Sequence, residues 1–203
     1  MDIAFRRSMD ILLATSALFL LTPILAVIPL LVRFESPGPI LFRQERVGRN
    51  GSHFILYKFR TMHTRQDEHV SLVTASNDPR ITRFGHVLRS LKLDELPQLV
   101  NVVRGNMSIT GPRPEVAEYV AKWPERHRDT ILSVRPGLTD PVTLQLTREE
   151  HLLAQYQDPA EYYEAVLLPS KAHGYASYVT HRTISGDLSL IFKTLWSIFK
   201  PIR

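Results

Sequence analysis

A long apolar run near the N-terminus dominates the hydrophobic pattern of this chain. Ile11 to Val32 covers 22 consecutive positions without a charged residue. At about 1.5 Å of rise per residue, a straight helix over this run would be roughly 33 Å long, and the hydrocarbon core of a bilayer is about 30 Å thick. Length alone therefore predicts a membrane helix.

Two further features favour a broken helix that enters and leaves the membrane on the same side. Pro23 lies near the middle of the run, where it removes a backbone donor and favours a kink. The Thr22 hydroxyl can bond back to an earlier carbonyl, which also favours bending. Basic residues precede and follow the run, and positively charged flanks prefer the cytoplasm. They are Arg6 and Arg7 before it, and Arg33, Arg43, Arg46 and Arg49 after it. We predict a re-entrant segment over residues 1–34 that breaks at Thr22–Pro23, with a spanning helix as the alternative.

The C-terminal pattern is that of an amphipathic helix over residues 187–203. The apolar positions with helical spacing are Leu188, Ile191, Phe192, Leu195, Trp196 and Phe199. Lys193, Lys200 and Arg203 add positive charge, which is typical of a helix lying in a membrane interface. The alternative is a terminal helix that packs on the core of its own domain.

Residues 35–186 form the body between these two segments. Residues 39–47 and 52–59 read as strands around Gly48–Gly51, which predicts a β-hairpin. Helical spacing of apolar residues predicts helices in the rest of the body. The predicted helices cover 80–91, 96–103, 115–131 with an interruption at Pro124, and 160–168. The expected fold class is a helix-rich mixed α/β body with a small β-hairpin.

Composition narrows the chemistry of the 203-residue chain. It carries 25 Lys and Arg against 20 Asp and Glu, a net charge of +5, and no cysteine. The absence of cysteine excludes disulfides, thiolate catalysis and cysteine-ligated metal. Residues 43–65 hold six basic side chains against one acidic, which suits anionic lipids or phosphorylated ligands. No nucleic-acid-binding motif is present, so no nucleic acid partner is predicted.

The densest group of candidate functional residues lies between Arg89 and Pro114. Asp94 precedes Pro97 at a spacing that suits a helix N-cap. The functional alternative is that Arg89 and Lys92 keep Asp94 ionised as a nucleophile or metal ligand. Adjacent helical side chains diverge by about 100°, so Asp94 and Glu95 are expected to divide roles.

A second feature of this stretch is the turn at Gly111–Pro114. It holds Arg113 in a rigid setting suited to phosphate, unless it is an ordinary structural turn.

These motifs make the chain resemble the bacterial sugar transferase family, the monotopic phosphoglycosyl transferases that start glycoconjugate assembly on polyprenyl phosphate. The resemblance covers about half the chain in consistent order and is to the minimal form, without additional membrane helices. The matching stretches are SPGP (36–39), FRQERVGRNG (42–51), YKFRTM (57–62), NDPRITRFG (77–85), LDELPQLVNVVRGNMSITGPRP (93–114) and RPGLT (135–139).

The resemblance implies transfer of a sugar-1-phosphate from a UDP-sugar to undecaprenyl phosphate, with UMP as the leaving group. It implies Asp94 as the covalent nucleophile and Glu95 as its partner in a dyad, with Mg²⁺ held by both. Substrate phosphate would bind at Lys58, Arg60, Arg89, Arg113 and the turn at Pro112. Thr22–Pro23 would match the family's membrane-helix break. The expected location is the bacterial inner membrane, with the catalytic domain on the cytoplasmic face.

The chain departs from the family pattern over residues 140–168, which include Arg148, Glu149 and Glu150. We expect this region to affect recognition of the sugar or the nucleotide of the substrate. Two alternatives stay open: a nucleotide-sugar hydrolase that uses the same site, and a non-enzymatic adaptor at the membrane surface. The sequence leaves open the sugar, the glycan pathway and the oligomeric state, with a homodimer as one option.

Overall fold

The computed structural model describes residues 2–63, 74, 78–145 and 149–199. It has the predicted helix-rich α/β composition with small sheets. The helices are α1 (Asp2–Leu20), α2 (Thr22–Glu35), α3 (Arg83–Ser90), α4 (Gln98–Arg104), α5 (Ala117–Lys122), α6 (Glu125–Leu132), α7 (Pro141–Gln145), α8 (Glu149–Leu153), α9 (Pro159–Tyr162), α10 (Leu168–His181) and α11 (Ile184–Phe199). The strands are β1 (Leu41–Val47), β2 (His53–Phe59), β3 (Ser108–Thr110) and β4 (Gly137–Thr139).

The N-terminal apolar run forms two helices, α1 and α2, that meet at an angle of 64°. Pro23 stands in the first turn of α2, where its missing N–H costs least. The Thr22 hydroxyl donates to the Leu18 carbonyl at 2.9 Å, as the sequence suggested. The predicted break is therefore confirmed. Among the described helices, the length and apolar composition of a membrane span are met only when this bent pair is taken together.

The predicted hairpin is confirmed, with β1 and β2 antiparallel from Leu41 opposite Phe59 to Val47 opposite His53. Side chains alternate between the two faces of each strand. On β2, Phe54 and Leu56 are buried on the same face as Lys58. Lys58 is thereby directed to the side of the hairpin that packs against the body.

A second sheet, which the sequence analysis missed, pairs β3 with β4 in parallel. Just beyond the paired residues, Gly111 and Gly137 approach each other closely. A Cβ atom at Gly137 would lie 2.1 Å from the Gly111 nitrogen, and one at Gly111 would lie 2.5 Å from the Arg135 carbonyl oxygen. A residue with a side chain at either position would force the two segments apart. The glycines therefore allow residues 108–114 and 135–139 to pack closely against each other.

In the described part of the chain, three hydrophobic clusters form the core. One joins α5, α6 and α10. The second includes Ala14 of α1 with Phe54, Leu56 and residues of α4. The third includes Ile28 and Val32 of α2 with Phe59 and Leu88. Both arms of the bent pair thus pack on the body, each in a different cluster.

The predicted helix over residues 160–168 is part of a longer helical stretch. It begins at α9, where Asp158 accepts hydrogen bonds from Ala160 N and Glu161 N at 3.0 Å. One wider turn over Tyr163–Leu167 then leads into α10. The interruption predicted at Pro124 is also found, because this residue separates α5 from α6.

The C-terminal helix α11 has one face packed on the body and one exposed apolar face. Ile191 packs against the second hydrophobic cluster, so one face of α11 covers the domain's own core. The opposite face is exposed, with Phe192 at 70% and Trp196 at 60% exposure. The helix begins at Ile184, before the predicted start, and residues 200–203 of the prediction lie outside the described part of the chain.

Candidate active site

Asp94 and Glu95 lie in a short 3-10 turn, Leu93–Glu95, between α3 and α4. Lys92 precedes the turn with a left-handed backbone, φ 55°, which is uncommon for a residue with a side chain. The expectation that Asp94 is a helix N-cap is wrong. Pro97 occupies the cap of α4, and the Asp94 side chain makes no capping hydrogen bond. The turn therefore presents both carboxylates before the helix proper begins.

Glu95 is held by two cations from distant parts of the chain. Lys58 Nζ donates to Glu95 Oε1 at 2.8 Å, and a guanidinium nitrogen of Arg113 donates to the same oxygen. Burial alone would raise the pKa of Glu95, but Arg113 and Lys58 together hold it well below its usual range. Glu95 in turn holds the pKa of Arg113 above its usual value. Glu95 is therefore a fixed anion at neutral pH.

Asp94 is in a different electrostatic setting. Its residue is only 7% exposed, and burial raises its pKa to about 6, with the negative charge of Glu95 adding to the rise. Lys58, Arg89 and Arg113 oppose that rise. Arg89 thus acts in the expected direction, but burial outweighs it. Among the described residues, none donates a hydrogen bond to the Asp94 carboxylate, which leaves its oxygens available to a substrate or cation.

The cations around the dyad come from three separate elements. Lys58 comes from β2, Arg89 from the last turn of α3, and Arg113 from the segment after β3. All three lie close enough to Asp94 to lower its pKa. The structure thus brings together five of the predicted site residues.

The turn that carries Arg113 is anchored on both sides. Pro112 is fully buried, and its carbonyl accepts the Gly137 N–H at 2.8 Å. On the other side, Arg46 donates to the Pro114 carbonyl at 3.0 Å. Pro112 therefore acts in this structure as a backbone anchor for Arg113.

Arg60, expected to bind phosphate, has other contacts. Its guanidinium is buried and donates to the Ser36 carbonyl at 2.6 Å and to the Ser36 hydroxyl at 2.8 Å. It is not among the main groups that shift the pKa of Asp94 or Glu95. The structure thus places Arg60 at the end of α2, where it fixes the bent pair to β2.

Comparison with known proteins identifies the family of this chain. A family model described as bacterial sugar transferase matches residues 1–201. The chain belongs to the bacterial sugar transferase family. The resemblance carried by the sequence motifs is thereby confirmed.

Relatives within the family differ in length. The chain is 42% identical over 136 residues to the UDP-glucose:undecaprenyl-phosphate glucose-1-phosphate transferase of Escherichia coli K12, covering 66% of this chain and 29% of that protein. It is 41% identical over 150 residues to the exopolysaccharide production protein PSS of Rhizobium leguminosarum, covering 68% and 72% of the two chains. It is 35% identical over 205 residues to the exopolysaccharide production protein ExoY of Sinorhizobium fredii, covering 94% and 83%. The chain thus spans less than a third of the Escherichia coli relative and most of the other two.

A buried polar network that the sequence analysis missed extends from Arg46 into the region where the chain departs from the family pattern. Glu115 accepts hydrogen bonds from Arg46 at 3.2 Å and from the Tyr163 hydroxyl at 3.0 Å. Lys171 is 3% exposed and bonds Tyr163 and Glu149. The available sequence signal was a set of charged residues within apolar helical surroundings. Of the acidic and basic residues singled out there, Glu149 joins this network and Arg148 lies outside the described residues.

Few of the described side chains at the dyad could coordinate a divalent cation. The described residues contain no cluster of three or more His, Asp or Glu side chains that could hold a metal. Glu95 has one oxygen already paired with two cations, whereas Asp94 offers a carboxylate with no hydrogen-bond donor among the described residues. Mg²⁺ prefers near-octahedral oxygen ligands and often takes only one or two from the protein. A Mg²⁺ ion would therefore find its protein ligand at Asp94, and substrate phosphates and water would have to supply the other ligands.

Proposed function

We propose that this protein transfers a sugar-1-phosphate from a UDP-sugar to undecaprenyl phosphate, releasing UMP. The observation that carries this proposal is a buried Asp94 beside Glu95, with three cations from three elements around them. Curated relatives named as transferases of glucose-1-phosphate to undecaprenyl phosphate support the substrate class. The product would be the first lipid-linked intermediate of a polysaccharide.

In the proposed first step, an Asp94 carboxylate oxygen attacks the phosphorus that bears the sugar. The phosphoanhydride bond to UMP breaks, and its electron pair leaves with UMP. Asp94 then carries the phosphosugar as an acyl phosphate. In the second step, a phosphate oxygen of undecaprenyl phosphate attacks the same phosphorus and the Asp94 carboxylate leaves. One phosphoanhydride replaces another, so the overall free-energy change is small.

The roles of the surrounding residues follow from the charges and hydrogen-bond donors that they carry. A lysine carries three donors and an arginine five, so Lys58 and Arg113 can hold Glu95 and a diphosphate together. Glu95, a fixed anion, keeps both cations oriented toward Asp94. Arg89 adds positive charge where the phosphates would lie. Mg²⁺ bound at Asp94 would supply neutralisation of the diphosphate.

The bent pair suggests how the site reaches its lipid acceptor. The phosphate of undecaprenyl phosphate lies at headgroup depth and its tail stays in the bilayer. A re-entrant α1–α2 pair and the exposed face of α11 would hold the dyad at that depth. The flanking arginines favour the cytoplasmic face of the inner membrane.

The activity is tested with a panel of UDP-sugars, undecaprenyl phosphate and Mg²⁺, with UMP release as the readout. We expect turnover with at least one donor and a lipid-linked sugar product. Asp94→Asn should abolish both, and radiolabel from the sugar of the donor should remain on the wild-type chain when lipid is withheld. Full activity of Asp94→Asn would refute the nucleophile.

The hydrolase alternative is separated in the same assay. A hydrolase releases sugar phosphate to water at the same rate with and without lipid. UMP release that is independent of undecaprenyl phosphate would therefore favour hydrolysis. If no UDP-sugar is turned over under any condition, the adaptor alternative gains support.

A further inference from the structure

Each arm of the bent pair is hydrogen-bonded to one of the two helices that flank the dyad turn. On α1, Arg7 reaches the C-terminus of α4, donating to the Val102 carbonyl at 2.6 Å and the Val103 carbonyl at 2.8 Å. On α2, Glu35 Oε1 accepts the Phe84 N–H of α3 at 2.8 Å. The two arms thus hold the helix before the dyad and the helix after it.

The Arg7 contact adds side-chain donors and a positive charge at the C-terminus of α4. The last carbonyls of a helix have no partner within it, and a positive charge there is favourable. Because α4 has only seven residues, it depends on such external contacts. The next turn of α1 adds a second fixed point, since the buried Asp10 accepts the Ser108 hydroxyl at 2.8 Å and the Ile109 N–H at 2.8 Å.

The Glu35 contact places a negative charge at the N-terminus of α3, whereas Arg7 places a positive charge at the C-terminus of α4. The first N–H groups of a helix lack intrahelical acceptors, and an anion beside them is favourable. Thr82 caps the Gly85 N–H at 2.9 Å, and Glu35 takes the Phe84 N–H next to it. The end of α2 therefore fixes where α3 begins.

Apolar contacts connect the same two arms to the dyad turn itself. Leu93 and Leu96 lie on either side of Asp94 and Glu95. Leu93 packs against the cluster of α2 residues, and Leu96 packs against that cluster and against the cluster that includes Ala14 of α1. A change in the angle between the arms would therefore act on the residues adjoining both carboxylates.

From these contacts we infer that Arg7 and Glu35 are positioning residues for the dyad. Through α4 and α3, they set the orientation of the Leu93–Glu95 turn, so that the rate of phosphosugar transfer depends on how the bent pair is seated. This inference rests on the proposed function for its kinetic test, although the coupling itself can be measured without substrate.

The kinetic test uses the full chain in bilayer nanodiscs with the donor identified by the UDP-sugar panel. For Arg7→Ala and Glu35→Ala we expect kcat to fall by about tenfold or more, with KM for the donor changed by less than about threefold. Glu35→Gln keeps an oxygen that can accept the Phe84 N–H, so it should restore most of kcat. Arg126→Ala, which removes an exposed arginine of α6, is the matched control and should behave as wild type.

Hydrogen exchange tests the coupling without substrate. In Arg7→Ala, amides of α4 should exchange about tenfold faster, whereas those of α6 should be unchanged. Unchanged α4 exchange, or a kcat loss that only follows the loss of folded protein, would overturn the inference. Failure of Glu35→Gln to restore the activity lost in Glu35→Ala would do the same. A wild-type chain that releases no UMP would refute the proposed function instead, and hydrogen exchange would still decide the inference.

Discussion

Asp94 and Glu95 are consecutive residues of one turn, yet their pKa values move in opposite directions. Burial raises the pKa of Asp94 to about 6, whereas Arg113 and Lys58 hold that of Glu95 well below its usual range. One carboxylate is therefore a permanent anion that orients cations. The other is costly to ionise, which suits a group that forms and breaks a bond to phosphorus.

Asp94→Asn should stabilise the metal-free protein above pH 6. The folded pKa of about 6 lies above the ordinary value of 3.8, so the folded state binds the proton more tightly and stability falls as pH rises between these values. The amide removes that cost, and the gain at pH 7.5 should be on the order of 3 kcal/mol. Thermal unfolding in EDTA measures it.

The pH dependence distinguishes the removal of this ionisation cost from a general stabilisation by the substitution. The stability gain of Asp94→Asn should shrink toward zero as pH is lowered to about 3, where the wild-type Asp94 is protonated in the folded state and largely so in the unfolded state. Asp129→Asn, the same change at an exposed position of α6, should give no gain at either pH. A gain that is equal at both pH values would contradict the raised pKa of Asp94.

Glu95→Gln should have the opposite effect on stability at neutral pH. It leaves Lys58 and Arg113 without the anion between them, and breaking such a buried pair costs about 3 kcal/mol. Because the folded pKa of Glu95 is depressed, this stabilisation is present above its ordinary value of 4.5 and is lost as pH falls further. Chemical denaturation at pH 7.5 measures the loss.

The same substitution should also shift the pH profile of any remaining activity. The negative charge of Glu95 raises the pKa of Asp94, so its removal should lower that pKa. The acid limb of kcat/KM would then move below pH 6. An acid limb that stays in place or moves upward would show that Asp94 does not control it.

Arg60→Ala and Lys58→Ala should separate anchoring from phosphate binding. Arg60 bonds Ser36, so its loss should lower the melting temperature while KM for the UDP-sugar stays within about threefold of wild type. Lys58 contacts Glu95 directly, so its loss should reduce kcat/KM by about tenfold or more. A rise in KM of about tenfold or more in Arg60→Ala would instead show that Arg60 binds substrate phosphate.

Local signals in the sequence were sufficient for the elements near the site. The hairpin followed from apolar alternation around Gly48–Gly51, and the break followed from Thr22–Pro23. Both depend on backbone restrictions within a few residues, which a single sequence displays. The sequence also pointed to Asp94, Glu95 and Arg113 through their dense spacing with glycine and proline.

Contacts between residues far apart in the sequence could not be predicted from such local signals. Glu95 meets Lys58 across 37 positions, and no local pattern indicates that distance. Asp94 was expected to cap a helix, but burial by other elements set its environment. The sheet formed by β3 and β4 was missed because each strand has only three residues and depends on the close approach of Gly111 to Gly137.

Cysteine labelling in cells should distinguish a re-entrant pair from a spanning one. The chain has no cysteine, so a single introduced thiol gives an unambiguous signal. Ser8 on α1 is exposed, and Ser133 is an exposed position of the body. If the pair is re-entrant, Ser8→Cys and Ser133→Cys should both resist an impermeant maleimide in spheroplasts and both react after lysis.

The bend itself can then be tested through Pro23→Ala. Alanine restores the backbone donor that proline lacks and removes the steric push, so α1 and α2 should straighten toward one helix of spanning length. Combined with Ser8→Cys, this change should make the thiol reactive in intact spheroplasts, because the N-terminal arginines would be carried across. Reactivity of Ser8→Cys from outside without the proline change would establish a spanning helix and remove the support for a re-entrant membrane anchor.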